Sequence, residues 1–125
     1  MSEKQHNFKI NSVEDLNNCI DGLVHEADQI TTVFEAKSIL RQFQDLASAI
    51  DEFDKKHSDD PEIRQECIKN IRVIYVLSVS IGKSIMDALD LKDEKIDQQY
   101  NQVLQMLGGK PGFDINLAAD DRDLL

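Results

Sequence analysis

Asp21, His25 and Asp28 have the residue types of a ligand set. Two carboxylates and an imidazole at i, i+4 and i+7 share one flank of any helix that contains them. Bundles that hold metal ions draw Glu and His from several helices, often as Glu-x-x-His. None of the predicted helices carries that motif, and the Asp21 flank lies beside an apolar stripe rather than on it. The three residues therefore read as a solvated polar face. His25 also has the position of a phosphate-accepting histidine in a helical phosphotransfer domain. Its neighbours are Glu26 and Asp28, and no Lys or Arg occurs from Ile10 to Ala36, so like charge opposes a phosphoryl group there.

The stretch DEFDKKHSDDPE, Asp51 to Glu62, has the length of a calcium loop and ends on Glu. Phe53 stands where the third-position oxygen ligand belongs and Lys56 where glycine is needed. It reads as an acidic helix connection. Nucleophilic catalysis needs a thiol or hydroxyl beside a base. Cys19 and His25 lie on one helix but point about 120° apart. Cys67 can meet a histidine only through tertiary folding. The run GGKPG lacks phosphate-loop spacing and follows no strand. The expectation is a protein without catalytic, cofactor-binding or metal-ligating residues, and not an enzyme.

Composition narrows the classes further. The chain of 125 residues, 41% apolar and 30% charged, suits one globular domain with its own core. Its net charge of -10 argues against nucleic acid and against anionic membrane surfaces, both of which select clustered Lys and Arg. A basic protein partner is compatible with it. The polar opening MSEKQHNFKIN does not resemble a signal peptide. The longest apolar run, Ile71 to Ile81, is broken by Arg72, Ser78 and Ser80, far short of the ~20 residues that a span needs. Two cysteines on or beside core stripes suggest buried thiols in a reducing compartment, hence a cytoplasmic location.

The elements that would position any site are helices. Val13, Leu16, Ile20, Leu23, Ala27 and Ile30 alternate spacings of 3 and 4 behind an N-cap at Ser12, which predicts a helix over 13–30. Thr32 and Glu35 form a capping box ahead of Ala36, Ile39, Phe43, Leu46, Ile50 and Phe53, with Leu40 and Ala47 widening the face, which predicts a helix over 33–56. Asp60 and Pro61 open a third helix to Leu91, with Ile63, Cys67, Ile71, Ile74, Ile81, Ile85 and Ala88 inward. Its β-branched middle also suits a strand, but one strand among helices has nothing to pair with. Asp93 caps a fourth helix to Leu107 whose stripe is Ile96, Tyr100, Val103 and Leu107, and Gly108 can close it in the left-handed conformation. The expected architecture is all-α: an antiparallel four-helix bundle over 13–109 with a long central third helix. A flexible, polar N-terminal arm spans 1–12, and an acidic C-terminal tail spans 110–125, where Asn116 can cap a short helix.

What remains for function is surface. Glu14, Asp15, Asp21, Glu26, Asp28 and Glu35 occupy a stretch with no compensating cation. Tyr75 and Val79, with Val73 and Val76, exceed what one core stripe requires. Beside them Ser78, Gly82, Ser80 and Ser84 offer small residues at which another helix, including one of a second copy in a homodimer, can approach. Phe113, Ile115 and Leu117 alternate with acids including Asp114, Asp120 and Asp121, as in a peptide that docks in a groove. The closing DRDLL has the form of an acidic dileucine signal, a pattern short enough to arise by chance. The candidate partner-binding residues are thus Glu14, Asp21, Glu26, Asp28, Tyr75, Val79, Phe113, Leu117, Asp120 and Asp121. The expected function is non-catalytic binding and regulation of a partner protein with a basic surface, as an inhibitor or immunity-type regulator. A secretion or assembly chaperone, an acidic nucleic-acid mimic and a metal-binding or phosphotransfer helical protein are the alternatives.

Overall fold

Each helix begins where a short polar side chain can accept an orphan backbone N–H. In the structure, a computed structural model that describes residues 8–109 with Leu117 and Ala118, these starts are Ser12, Thr32, Asp60 and Asp93. The helices are α1 (Val13–Ala27), α2 (Val33–Lys56), α3 (Pro61–Ala88) and α4 (Glu94–Met106). The protein is all-α, with four helices packed against one another and the third the longest, as the periodicity predicts. At α2 both halves of the capping box form. Glu35 N–H donates to Thr32 Oγ1 at 3.2 Å, and Glu35 Oε1 accepts from the Thr32 N–H at 3.2 Å. The Thr31 N–H and then the Thr32 hydroxyl, with smaller help from the Thr31 hydroxyl and the Thr32 N–H, donate to the Glu35 carboxyl and hold it below its ordinary pKa.

Three helices stop earlier than their apolar stripes. Tight turns close α1, with Gln29 N–H bonded to Glu26 O and Ile30 N–H to Ala27 O, so Ile30 packs on the core from outside the helix. At the end of α3, Asp90 takes a left-handed φ of 54°, and the N–H groups of Asp90 and Leu91 turn back to Asp87 O and Met86 O. That pattern ends α3 at Ala88 rather than Leu91. Gly108 and Gly109 close α4 the same way, through Gln105 O and Leu104 O, at the φ > 0 glycine adopts freely.

The core is one cluster shared by α1, α2 and α3. Leu16, Ile20, Leu23 and Ala27 meet Ala36, Ile39, Phe43, Leu46, Ile50 and Phe53, and both rows meet Cys67, Ile74, Leu77, Ile81 and Ile85. Ile71, expected inward, is exposed, and the buried position beside it is Asn70. A buried amide is tolerated when its hydrogen bonds are made. Asn70 Nδ2 donates to Glu66 O at 2.8 Å and, more weakly, to Asn17 Oδ1 on α1 at 3.4 Å.

Helix α4 contacts α3 alone among the helices. Its Val103 is fully buried, Ile96 and Tyr100 are half-buried, and Leu107, expected on the inner stripe, is 38% exposed. A helix seated on a single neighbour has only a narrow line of contact to bury. Lys83 Nζ ties the pair together, at 2.8 Å from Asp97 Oδ1 and 3.1 Å from Asp87 Oδ1, and these partners raise its pKa. Phe8 and Ile10, placed by their sequence in the N-terminal arm, are half-buried against the main core, as is Leu117.

Glycine in the middle of α1 weakens a helix that nothing requires to be narrow there. Apart from its chain neighbours and the backbone of its own helix, no described atom lies within 4 Å of where a Gly22 Cβ would sit. Gly22→Ala is expected to raise unfolding stability by ~0.5–1 kcal/mol in urea titrations; a loss of stability would mean that the surface around Gly22 is occupied.

Candidate functional site

The acidic residues of α1 do not form one patch. Glu14, Asp21 and Asp28 are spaced by seven and all exposed, so they lie in one row with Asn18 and His25 between them. A rise of 1.5 Å per residue sets successive carboxylates in that row about 10 Å apart. Among the described residues none of the three is in an ion pair, whereas Lys55 pairs with Asp51 and Lys83 with Asp87 and Asp97. Asp15 is drawn off into the helix start, where Asp15 Oδ2 accepts from the Asn11 N–H and its own N–H donates to Ser12 Oγ. Glu26 faces a different flank. It lines a shallow groove of about 370 Å³ with Gln29, Ile30, Phe34, Glu35, Ser38, Ile39 and Gln42, between the end of α1 and the start of α2.

The chemistry weighed for these residues gains no geometry. Gln29 Nε2 lies 3.0 Å from His25 Nε2, so an amide rather than a carboxylate orients that ring. Among the described residues no three His, Cys, Asp or Glu side chains come together as a metal site. Asp51 to Lys56, the first half of the calcium-loop-like stretch, is helical, and Asp51 pairs with Lys55. Burial pushes both thiols above their ordinary pKa, with Asp15 adding to the effect at Cys19 and Asp54 and then Glu66 at Cys67. A raised thiol pKa favours the folded state at low and neutral pH, and that contribution is lost as pH rises through the folded value. Cys67 is expected to react with iodoacetamide at pH 8 at least about tenfold more slowly than free cysteine. Reaction at the free-thiol rate would show that its burial is wrong.

Helix α3 presents a second surface. Ile68, Arg72, Tyr75 and Val79 follow spacings of 4, 3 and 4 and share one face. Ile68 is 45% and Tyr75 38% exposed, while Val79 is half-buried. The small residues next to this face are differently used. Ser80 Oγ donates to Val76 O and Ser84 Oγ to Ser80 O, which satisfies both hydroxyls within the helix, and nothing lies within 4 Å of a Cβ at Gly82. Beside the face, Gln65, Ile68, Lys69, Arg72, Val73, Val76, Leu77 and Leu107 line an open groove of about 440 Å³. Sequence reasoning missed this groove. Its two signals are the short α4 and the absence of any Asp or Glu between Cys67 and Met86.

The C-terminal candidates divide. Phe113, Asp120 and Asp121, and most of the short helix expected after Asn116, lie outside the described residues. Leu117 and Ala118 are described and extended. Ala118 forms a parallel bridge with Thr32: the Val33 N–H donates to Ala118 O at 3.0 Å and the Ala118 N–H to Thr31 O at 2.9 Å. The Ala118 carbonyl thereby takes one of the free donors at the start of α2. The apolar area of Leu117 is already used against this protein's own core. Among the described residues no helix is long and apolar enough to cross a membrane. No family model, curated protein or solved structure matches the chain.

Proposed function

We propose that this protein binds and regulates a partner protein without catalysis, as an inhibitor or immunity-type regulator, and that the acidic row of α1 meets a basic surface on that partner. The observation that supports the reading most is the row itself: Glu14, Asp21 and Asp28 exposed along one line of α1 and its C-cap, in no ion pair among the described residues. Such a row carries a directed field and leaves its charge available to a partner. A nucleic-acid mimic fits less well. Double-stranded DNA carries a charge per ~1.7 Å of axis, against one per ~10 Å along this row. Free thiols at Cys19 and Cys67 agree with action in a reducing compartment such as the cytoplasm.

The test compares partner capture by the wild-type chain and by the Glu14→Lys/Asp21→Lys/Asp28→Lys chain, in parallel from the native cell. Loss of the same captured protein in the reversed chain supports the reading; equal capture by both overturns it.

A further inference from the structure

The groove at the end of α4 exists because two paired helices differ in length. At 1.5 Å per residue, α3 is about 42 Å long and α4 about 20 Å. Helix α4 enters beside Lys83, through the Asp97 ion pair, and runs antiparallel down α3 until Leu107 reaches the level of Val73 and Val76. Beyond that point no other described helix covers the α3 face that α4 was covering, which continues through Arg72, Lys69, Ile68 and Gln65. Ile68 and Leu107 are exposed large apolar side chains at its two walls.

Charge distinguishes this face from the rest of the molecule. The chain has 24 acidic residues, yet none of the groove-lining residues is acidic. Its cations, Lys69 and Arg72, are exposed and in no ion pair among the described residues, so the groove carries a charge opposite to the net charge of the chain. The nearest acids of α3, Glu62 and Glu66, lie toward its N-terminus and outside the lining.

We propose that this groove holds an amphipathic helix of a partner protein whose polar flank is acidic, seated on α3 in line with α4. Its apolar row packs on Ile68, Val73, Val76 and Leu107, and its carboxylates meet Lys69 and Arg72. Room for about three turns suits the helix-in-groove mode, read by anchors at i, i+3, i+4 and i+7. A second copy of this chain is a poorer occupant: each copy carries a net charge of -10, and a two-fold contact here sets cation toward cation. The face shares no residue with the acidic row of α1, so the two proposals stand or fall separately.

The experiment is fluorescence anisotropy on the full chain with two labelled helical peptides of about 14 residues. Both carry the same leucine row, one flanked by Glu and the other by Lys. The Glu peptide is expected to bind saturably, at least about tenfold more tightly than the Lys peptide. Lys69→Glu/Arg72→Glu should reverse that order, and the milder Lys69→Gln/Arg72→Gln should abolish the preference while circular dichroism shows the fold retained. The Glu14→Lys/Asp21→Lys/Asp28→Lys chain should still prefer the Glu peptide. Absence of saturable binding, or equal binding of the two peptides, overturns the proposal. So does a wild-type dimer that Ile68→Asp dissociates in sedimentation equilibrium, since a second copy would then fill the groove. A tenfold gain in affinity for the Glu peptide in the full-length Phe113→Asp/Ile115→Asp chain overturns it too, because the tail of this chain would then be the resident.

Discussion

Replacing Phe43 by alanine is expected to lower the free energy of unfolding by ~3–5 kcal/mol. Phe43 is fully buried on α2, the helix that packs against both α1 and α3, so its ring belongs to the one cluster those three helices share. Truncation removes the transfer free energy of the ring and leaves a cavity that helices with short connections can close only in part. Domains of this size have ~5–15 kcal/mol in total, so the loss is a large fraction of what holds the fold. Urea titration is the measurement, and an unchanged m-value is required for the comparison to hold. A shift below about 1 kcal/mol would mean that Phe43 is not in a packed core. Leu107→Ala, at an exposed position on the edge of α4, is the internal control and should change stability by less than about 1 kcal/mol.

Reversing Glu14, Asp21 and Asp28 to lysine is expected to slow association with a basic partner by a factor of about 10 to 100 at low salt. Each reversal adds two charges, so three take the net charge from -10 to -4. The three positions are exposed and make no ion pair among the described residues, which keeps the folding effect small. Lysine at position 14, in the first turn of α1, opposes the helix dipole, while relief of like-charge repulsion along the row works the other way. Stopped-flow association at ~20 mM and ~500 mM salt separates steering from contact. Screening over a few ångströms at the higher salt should erase most of the difference. Association rates equal at low salt would remove the acidic row from recognition.

The groove on α3 and the row on α1 show how differently the two candidate surfaces could be read in advance. The row was fully legible, because a spacing of seven and an absence of cations are properties of a short stretch of chain. Its separation from Glu26 was legible too, since residues 26 and 28 of a helix point about 160° apart; that the flank of Glu26 becomes a groove wall was not, because it does so only when α2 lies beside it. The groove depends on where α4 stops along α3, and no local pattern records the register of two helices.

The four helix starts were written in single residues: Ser12, the Thr32–Glu35 box, Asp60 before Pro61, and Asp93. Caps act within one turn and the apolar stripe of α2 repeats without a break, so both are complete in the linear chain. The choice between Asn70 and Ile71 is of another kind. Hydrophobicity favours Ile71, but Asn70 is the residue inside, its amide bonded to Glu66 O and, more weakly, to Asn17 Oδ1, far away in the chain. The place of α4 outside the common core, and the return of Ala118 to the start of α2, likewise follow from which surfaces were left uncovered once three helices had packed. Local energies settled which segments coil and where they begin. Competition among neighbours for buried area settled which face each helix turns inward, and so which residues remain outside to meet a partner.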